Sequence, residues 1–220
     1  MAYTIVPASG TATALVNLDA SPAVRPTAGV NGPVHPFTVV GTATAPINMP
    51  TTNFLPILRV PTNAGIEKLE ISIDTAPSTS LTGSIGLVFS PANDGTPAAY
   101  QSAYALTGAA PSIVSQSFFF YAAAITSYVG LWTDITFQNH LGNSVTDGFY
   151  VPSSYGLPLW QALTTGAGKA TSGASPGAFT SCQSDPGGFF DIVYFETTTG
   201  VNTSACLVSL RATYHVVGNL

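Results

Sequence analysis

Residues 65–90 read GIEKLEISIDTAPSTSLTGSIGLVFS. Leu69, Ile71 and Ile73 alternate with Glu70, Ser72 and Asp74, the period of two expected of a strand with one face in a core. The stretch APSTSLT is a turn, and GSIGLVFS then opens a second strand with Ile85, Leu87 and Phe89 on one side. No helical crossover fits between the two. The strand ends at Pro91 and an Asn-Asp-Gly turn whose Asp94 is its only ionisable group. Strands joined by short turns, without helices, predict antiparallel sheets.

The same texture recurs along the chain. Strands are expected in HPFTVVGTATA (35–45), ILRVP (57–61), SIVSQSFFFYAA (112–123), SYVGLWTDITF (127–137), FFDIVYFET (189–197) and ACLVSLRATYHVV (205–217). Their β-branched and aromatic content supports this. In the last of them Cys206, Val208, Leu210, Ala212, Tyr214 and Val216 share one face, and Ser209, Arg211, Thr213 and His215 the other. The expected fold is all-β: an eight-stranded antiparallel jelly-roll sandwich, with an immunoglobulin-like sandwich as the alternative.

Two regions differ in composition. Residues 1–34, rich in Ala, Thr, Pro, Gly and Val, read as an extended N-terminal arm ahead of a single domain at 35–220. Residues 139–188 form a long excursion dense in Gly, Ser and Pro, with Phe149, Tyr150 and Trp160 as expected buried anchors. A helical turn or two fits residues 97–112. No internal repeat is visible.

Hydrophobic residues make up 45 % of the 220 and charged residues only 7 %, against roughly 25 % charged in ordinary soluble domains. That much apolar content excludes a disordered chain. The longest apolar run, Phe118 to Ile125, falls well short of the ~20 residues needed to span a bilayer as a helix. No basic-then-apolar leader opens the sequence at MAYTIVPASGTATA, and no membrane association is expected. A chain this poor in charge either covers its surface with Ser, Thr and Asn or shares much of it with other subunits.

The net charge is −5, and the five basic residues Arg25, Arg59, Lys68, Lys169 and Arg211 are scattered. Phosphate-backbone binding by a basic arm is thereby excluded. Cys182 and Cys206 lie 24 residues apart. Without a leader, free thiols are expected rather than a disulfide, with Cys206 as a buried small hydrophobe. His35, His140 and His215 show neither HxH nor HExxH spacing, so no metal or other cofactor is expected. Asp74, Asp134 and Asp191 fall on separate strands, and a catalytic carboxylate pair requires them to meet in space. Neither a G-x-S-x-G elbow nor a phosphate loop is present, and TTGAGKATSGASPG and SDPGGFF read as plain loops. The Asn202-Thr203-Ser204 sequon is taken as coincidental. No enzymatic activity is expected.

The polar face of the last strand is the most informative pattern. Arg211 and His215 lie about 13–14 Å apart along it. This suits either a solvated outer face or a surface facing a cargo through few, pH-sensitive contacts, since imidazole gains charge near pH 6–7.

The strand series, with the closing SACLVSLRATYHVVGNL, is similar to the coat proteins of tymoviruses and their relatives, small jelly-roll subunits of icosahedral plant RNA viruses. The similarity lies in an alternating strand, a Pro- and Thr-rich turn, and a strand ending in Phe89, Pro91, Ala92 and Asn93. It is completed by a closing strand that begins at Cys206 and carries His215 near its end. Asp74 stands where that family commonly has a histidine. The resemblance implies a structural capsid protein that self-assembles into an icosahedral shell, held mainly by contacts between copies of itself. It implies viral genomic RNA as a partner through few contacts, with Arg211 and His215 facing the genome. It also implies residence in the virion, and in host cytoplasm before assembly. Carboxylates near subunit contacts would make assembly depend on pH. The alternatives are a phage decoration or head-fibre protein forming small oligomers, and a carbohydrate-binding jelly roll using Trp132, Trp160 or Tyr155.

Overall fold

The structure, a computed structural model, describes residues 4–5, 36–51, 53–75, 81–90, 113–137, 155–165, 185, 187–197 and 204–217. His35, His140, Cys182, Arg25, Lys169, Phe149, Tyr150, Pro91, Ala92, Asn93 and residues 97–112 lie outside them, as do the sequon's first two residues and most of 1–34 and 139–188.

The strands are β1 (Thr4–Ile5), β2 (Phe37–Ala45), β3 (Asn53–Pro61), β4 (Ala64–Ile73), β5 (Thr82–Phe89), β6 (Ile113–Ala124), β7 (Thr133–Asp134), β8 (Phe189–Glu196) and β9 (Cys206–Val216). A 3₁₀ turn spans Ile125–Tyr128, and a seven-residue helix, α1, spans Leu159–Thr165. The fold is an all-β sandwich of two antiparallel four-stranded sheets, ordered β3-β8-β5-β6 and β2-β9-β4-β7. β1 adds a short parallel pair to the β3 edge, Thr4 opposite Asn53 and Ile5 opposite Phe54.

The alternation read from the sequence is what builds the core. In β9, Cys206, Val208, Leu210, Ala212 and Tyr214 are buried, whereas Ser209, Arg211, Thr213 and His215 are only half-buried. Leu69, Ile71 and Ile73 of β4 join them, and Leu55, Ile57, Ile85, Leu87, Phe120, Ile192 and Tyr194 face them from the other sheet. Gly41 is required where the sheets meet at β2: a Cβ there would lie 2.1 Å from the Ile57 carbonyl oxygen. In β8 both faces are buried. Its outward residues Val193 and Phe195 form a second apolar cluster with Phe54 and Val88, and its Asp191 pairs with Arg59.

Two expectations change. SYVGLWTDITF is not one strand: it holds the end of the 3₁₀ turn and the two residues of β7. Gly130, at φ +78°, turns the chain, with its N–H on the Ile73 carbonyl. The Thr136 hydroxyl and the Ile135 N–H then bond to the backbone of Leu69, and Asp134 accepts from Thr136. Side chains thus supply the partners that a longer strand would have had. The second change is α1 inside the Gly-rich excursion. It buries Leu159, Ala162 and Leu163 against the core and leaves Trp160 half-buried. Its first turn is fixed by the Pro158 carbonyl, which accepts from Gln161 and Ala162. Among the described residues no helix is long and apolar enough to cross a membrane.

Candidate functional site

The outer face of the β2-β9-β4-β7 sheet carries the polar residues singled out in the sequence. Strand register sets them in rows. Arg211 lies opposite Val40 on one side and Glu70 on the other, and Glu70 lies opposite Asp134. One step along, Ser209 stands between Thr42 and Ser72, and one step the other way Thr213 stands between Thr38 and Lys68. The hydroxyls of Thr42 and Ser209 are 3.0 Å apart, and those of Thr38 and Thr213 are 3.3 Å apart.

Arg211 is not a free cation. Its Nε donates to Glu70 Oε2 at 2.6 Å, and its guanidinium lies 4.7 Å from the centre of the Trp132 ring, a stacking distance. Lys68 Nζ lies 2.9 Å from the other Glu70 oxygen. The Arg211 hydrogen bond, reinforced by the one from Lys68 and partly opposed by burial, holds the Glu70 carboxyl down at about 2. The row is therefore charge-balanced at neutral pH, which limits its pull on a phosphate chain.

His215 occupies the far end of the face. It lies opposite Gly65, and its ring packs where a Cβ on that glycine would lie, 2.7 Å from Cε1 and 2.8 Å from Nε2. Its buried Nδ1 is 3.3 Å from a Glu67 carboxylate oxygen, out of line for a hydrogen bond. Glu67 reaches it because the β4–β9 register shifts between Ile66 and Lys68. Arg211 and His215 thus share one face, each beside a carboxylate.

The three candidate aspartates are engaged separately. Asp191 forms a buried two-point pair with Arg59, at 2.8 and 3.2 Å. Asp134 accepts from Thr136, and Asp74 accepts from the Leu207 N–H at 3.0 Å. Cys206 is a free, buried thiol, with burial first, then Glu196 and Asp74, pushing it up to about 12. Among the described residues no group of three His, Cys, Asp or Glu side chains is placed to hold a metal ion.

Sequence reasoning missed Glu67, and it named Trp132 only as a candidate sugar-binding aromatic. Trp132 emerges as the stacking partner of Arg211, beside Val129 and Leu131, which are also exposed. Nothing in GLWTD signals this, since the contact joins residues 79 positions apart. Glu67 is legible only through the β4 irregularity. Of the other aromatic candidates, Tyr155 is exposed with its ring 6.0 Å from that of Phe137.

No protein-family description and no curated protein matches the chain. Among solved structures it is similar to the capsid of Ralstonia phage GP4, with 12 % identity, a TM-score of 0.43, and coverage of 89 % of this chain and 94 % of that one.

Proposed function

We propose that this chain is a viral coat subunit that self-assembles into an icosahedral shell around an RNA genome, without a catalytic step. The observation that carries the proposal is the strand order. Apart from the β5-β6 hairpin, strands that follow one another in the chain lie in opposite sheets, β2-β9-β4-β7 and β3-β8-β5-β6, an order that supports a jelly roll built from two Greek keys. That architecture serves capsids and lectins alike. The composition favours the former: at 7 % charged residues, the chain suits subunit contacts, where unpaired charge is costly to desolvate. Exposed Val40, Ile47 and Leu131 supply apolar contact area.

In this reading the 1–34 arm bridges neighbouring subunits, and the 139–188 excursion shapes the exterior. Arg211 and His215, with Trp132, face the lumen and touch RNA through few contacts. Such contacts must compete with Glu70 for Arg211. The chain resides in host cytoplasm before assembly and in the virion after it. The resemblance to tymovirus coats supports the same role through Phe89, Pro91, Ala92, Asn93, Cys206 and His215.

The test is to express the chain alone and examine it by size-exclusion chromatography and negative-stain microscopy. Uniform round particles are expected. A stable trimer that builds no shell at any pH or salt concentration overturns the proposal in favour of a decoration protein. The RNA contacts are tested by the nucleic-acid content of particles carrying Arg211→Gln, which should fall; unchanged content excludes Arg211.

A further inference from the structure

Sheet edges are where a β protein recruits another chain, and natural edges are usually blunted by proline, charge, bulges or short length. Three of the edges here are blunted. β3 contains Pro56 and Pro61, has a register shift between Pro56 and Leu58, and carries β1 alongside. β7 is two residues long. β6 is irregular, with three register shifts against β5.

β2 has none of these devices. Its nine residues, FTVVGTATA, include no charge and no proline. It pairs with β9 in unbroken register from Phe37 opposite Tyr214 to Ala45 opposite Cys206. Among the described residues, none from Phe37 to Ala45 has a hydrogen-bond partner outside β9. Along its other edge the strand's N–H and C=O groups thus have no partner among the described residues. The half from Phe37 to Val40 is also the open half: inward-facing Phe37 and Val39 stay only part-buried, and Val40 is 46 % exposed.

We propose that this edge, centred on Phe37–Val40, receives the β2 strand of a second copy, antiparallel about a two-fold axis. The two β2-β9-β4-β7 sheets then continue as one. The inference deepens the coat reading, and rests on it for the choice of a second copy as partner. Self-pairing suits this strand because a two-fold contact places it opposite itself. Phe, Thr and Val then meet Phe, Thr and Val, with no like charges opposed. The nearest charge, Arg211 in the row beside Val40, is already neutralised by Glu70. Pairing would also cover the exposed parts of Phe37 and Val39.

The experiment combines sedimentation of the full chain and its Val40→Lys variant with hydrogen exchange of the wild-type β2 amides at high and low protein concentration. The substitution sets like charges near the joint, so the association midpoint should shift about tenfold or more, with the circular dichroism spectrum unchanged. The outward-pointing amides between Phe37 and Val40 should be protected in the associated state and exchange freely on dilution. Unchanged association by a folded Val40→Lys variant overturns the proposal. So does protection that is independent of concentration, which would mean that the chain's own residues cover the edge. Should the variant fail to fold, the wild-type exchange decides alone. Dimers paired through β2 that never form shells would retain this inference and remove the coat reading. Shells with freely exchanging β2 amides would do the reverse.

Discussion

Arg59 and Asp191 join β3 to β8 on the outward face of their sheet, with side chains 3 % and 1 % exposed. At the effective dielectric of a protein, unit charges about 4 Å apart attract by about 4 kcal/mol. Desolvating both ions consumes most of that gain, so the intact pair contributes little net stability. Removing one partner is a different matter: Asp191→Ala forfeits the attraction and deprives a buried guanidinium of its two-point carboxylate. The expected loss is about 3–5 kcal/mol, a large share of the 5–15 kcal/mol typical of a domain (roughly). Urea unfolding followed by tryptophan fluorescence measures it as a lowered midpoint at constant slope. The double variant Arg59→Met with Asp191→Leu removes both charges and should recover to within about 1 kcal/mol of the wild type. A loss under about 1 kcal/mol for Asp191→Ala would mean that water reaches the pair and that the burial argument is wrong. A double variant as unstable as the single one would assign the cost to lost hydrogen bonds, not to the uncompensated charge.

Glu70 makes stability depend on acid. Its carboxyl titrates at about 2 in the fold against an ordinary 4.5, so its contribution is complete above about pH 5 and lost as pH falls toward 2. Glu70→Gln should flatten the stability–pH curve in that window, and an equally steep curve in the variant would exclude Glu70 as the cause. Gly41→Ala should cost about 1–3 kcal/mol by overpacking, because the obstacle is the Ile57 backbone. A thermal scan showing no loss would contradict the close approach of β2 to β3. Gly65→Ala should cost less, since its two nearest obstacles belong to the His215 ring, which can turn aside, and the Gly156 carbonyl oxygen lies farther off at 3.3 Å; the imidazole NMR signals should move. Cys206, with its thiol pushed up to about 12, should resist iodoacetamide at pH 8 until the protein unfolds. Peptide mass spectrometry that finds native Cys206 alkylated would refute its burial.

The sequence by itself determined the strands with one buried face. In β4 and β9 an alternating apolar set can be buried in only one register, because a one-residue slip turns every side chain over. Leu69, Ile71, Ile73 and the Cys206-to-Tyr214 series were therefore legible, and so was the shared face of Arg211 and His215. Tertiary structure decided what depends on partners distant in sequence. FFDIVYFE shows no alternation because both its faces are covered, so its central place in the sheet follows from β3 and β5 pairing on either side. SYVGLWTDITF has strand propensity throughout, yet the Leu69 backbone meets the Thr136 hydroxyl and ends the pairing after two residues. The stacking of Trp132 on Arg211 and the tethering of Arg211 by Glu70 arise from register between strands, which no local pattern encodes. The edge of β2 is of the same kind: FTVVGTATA specifies a strand, but only the placement of the other eight leaves one side of it without a partner among the described residues.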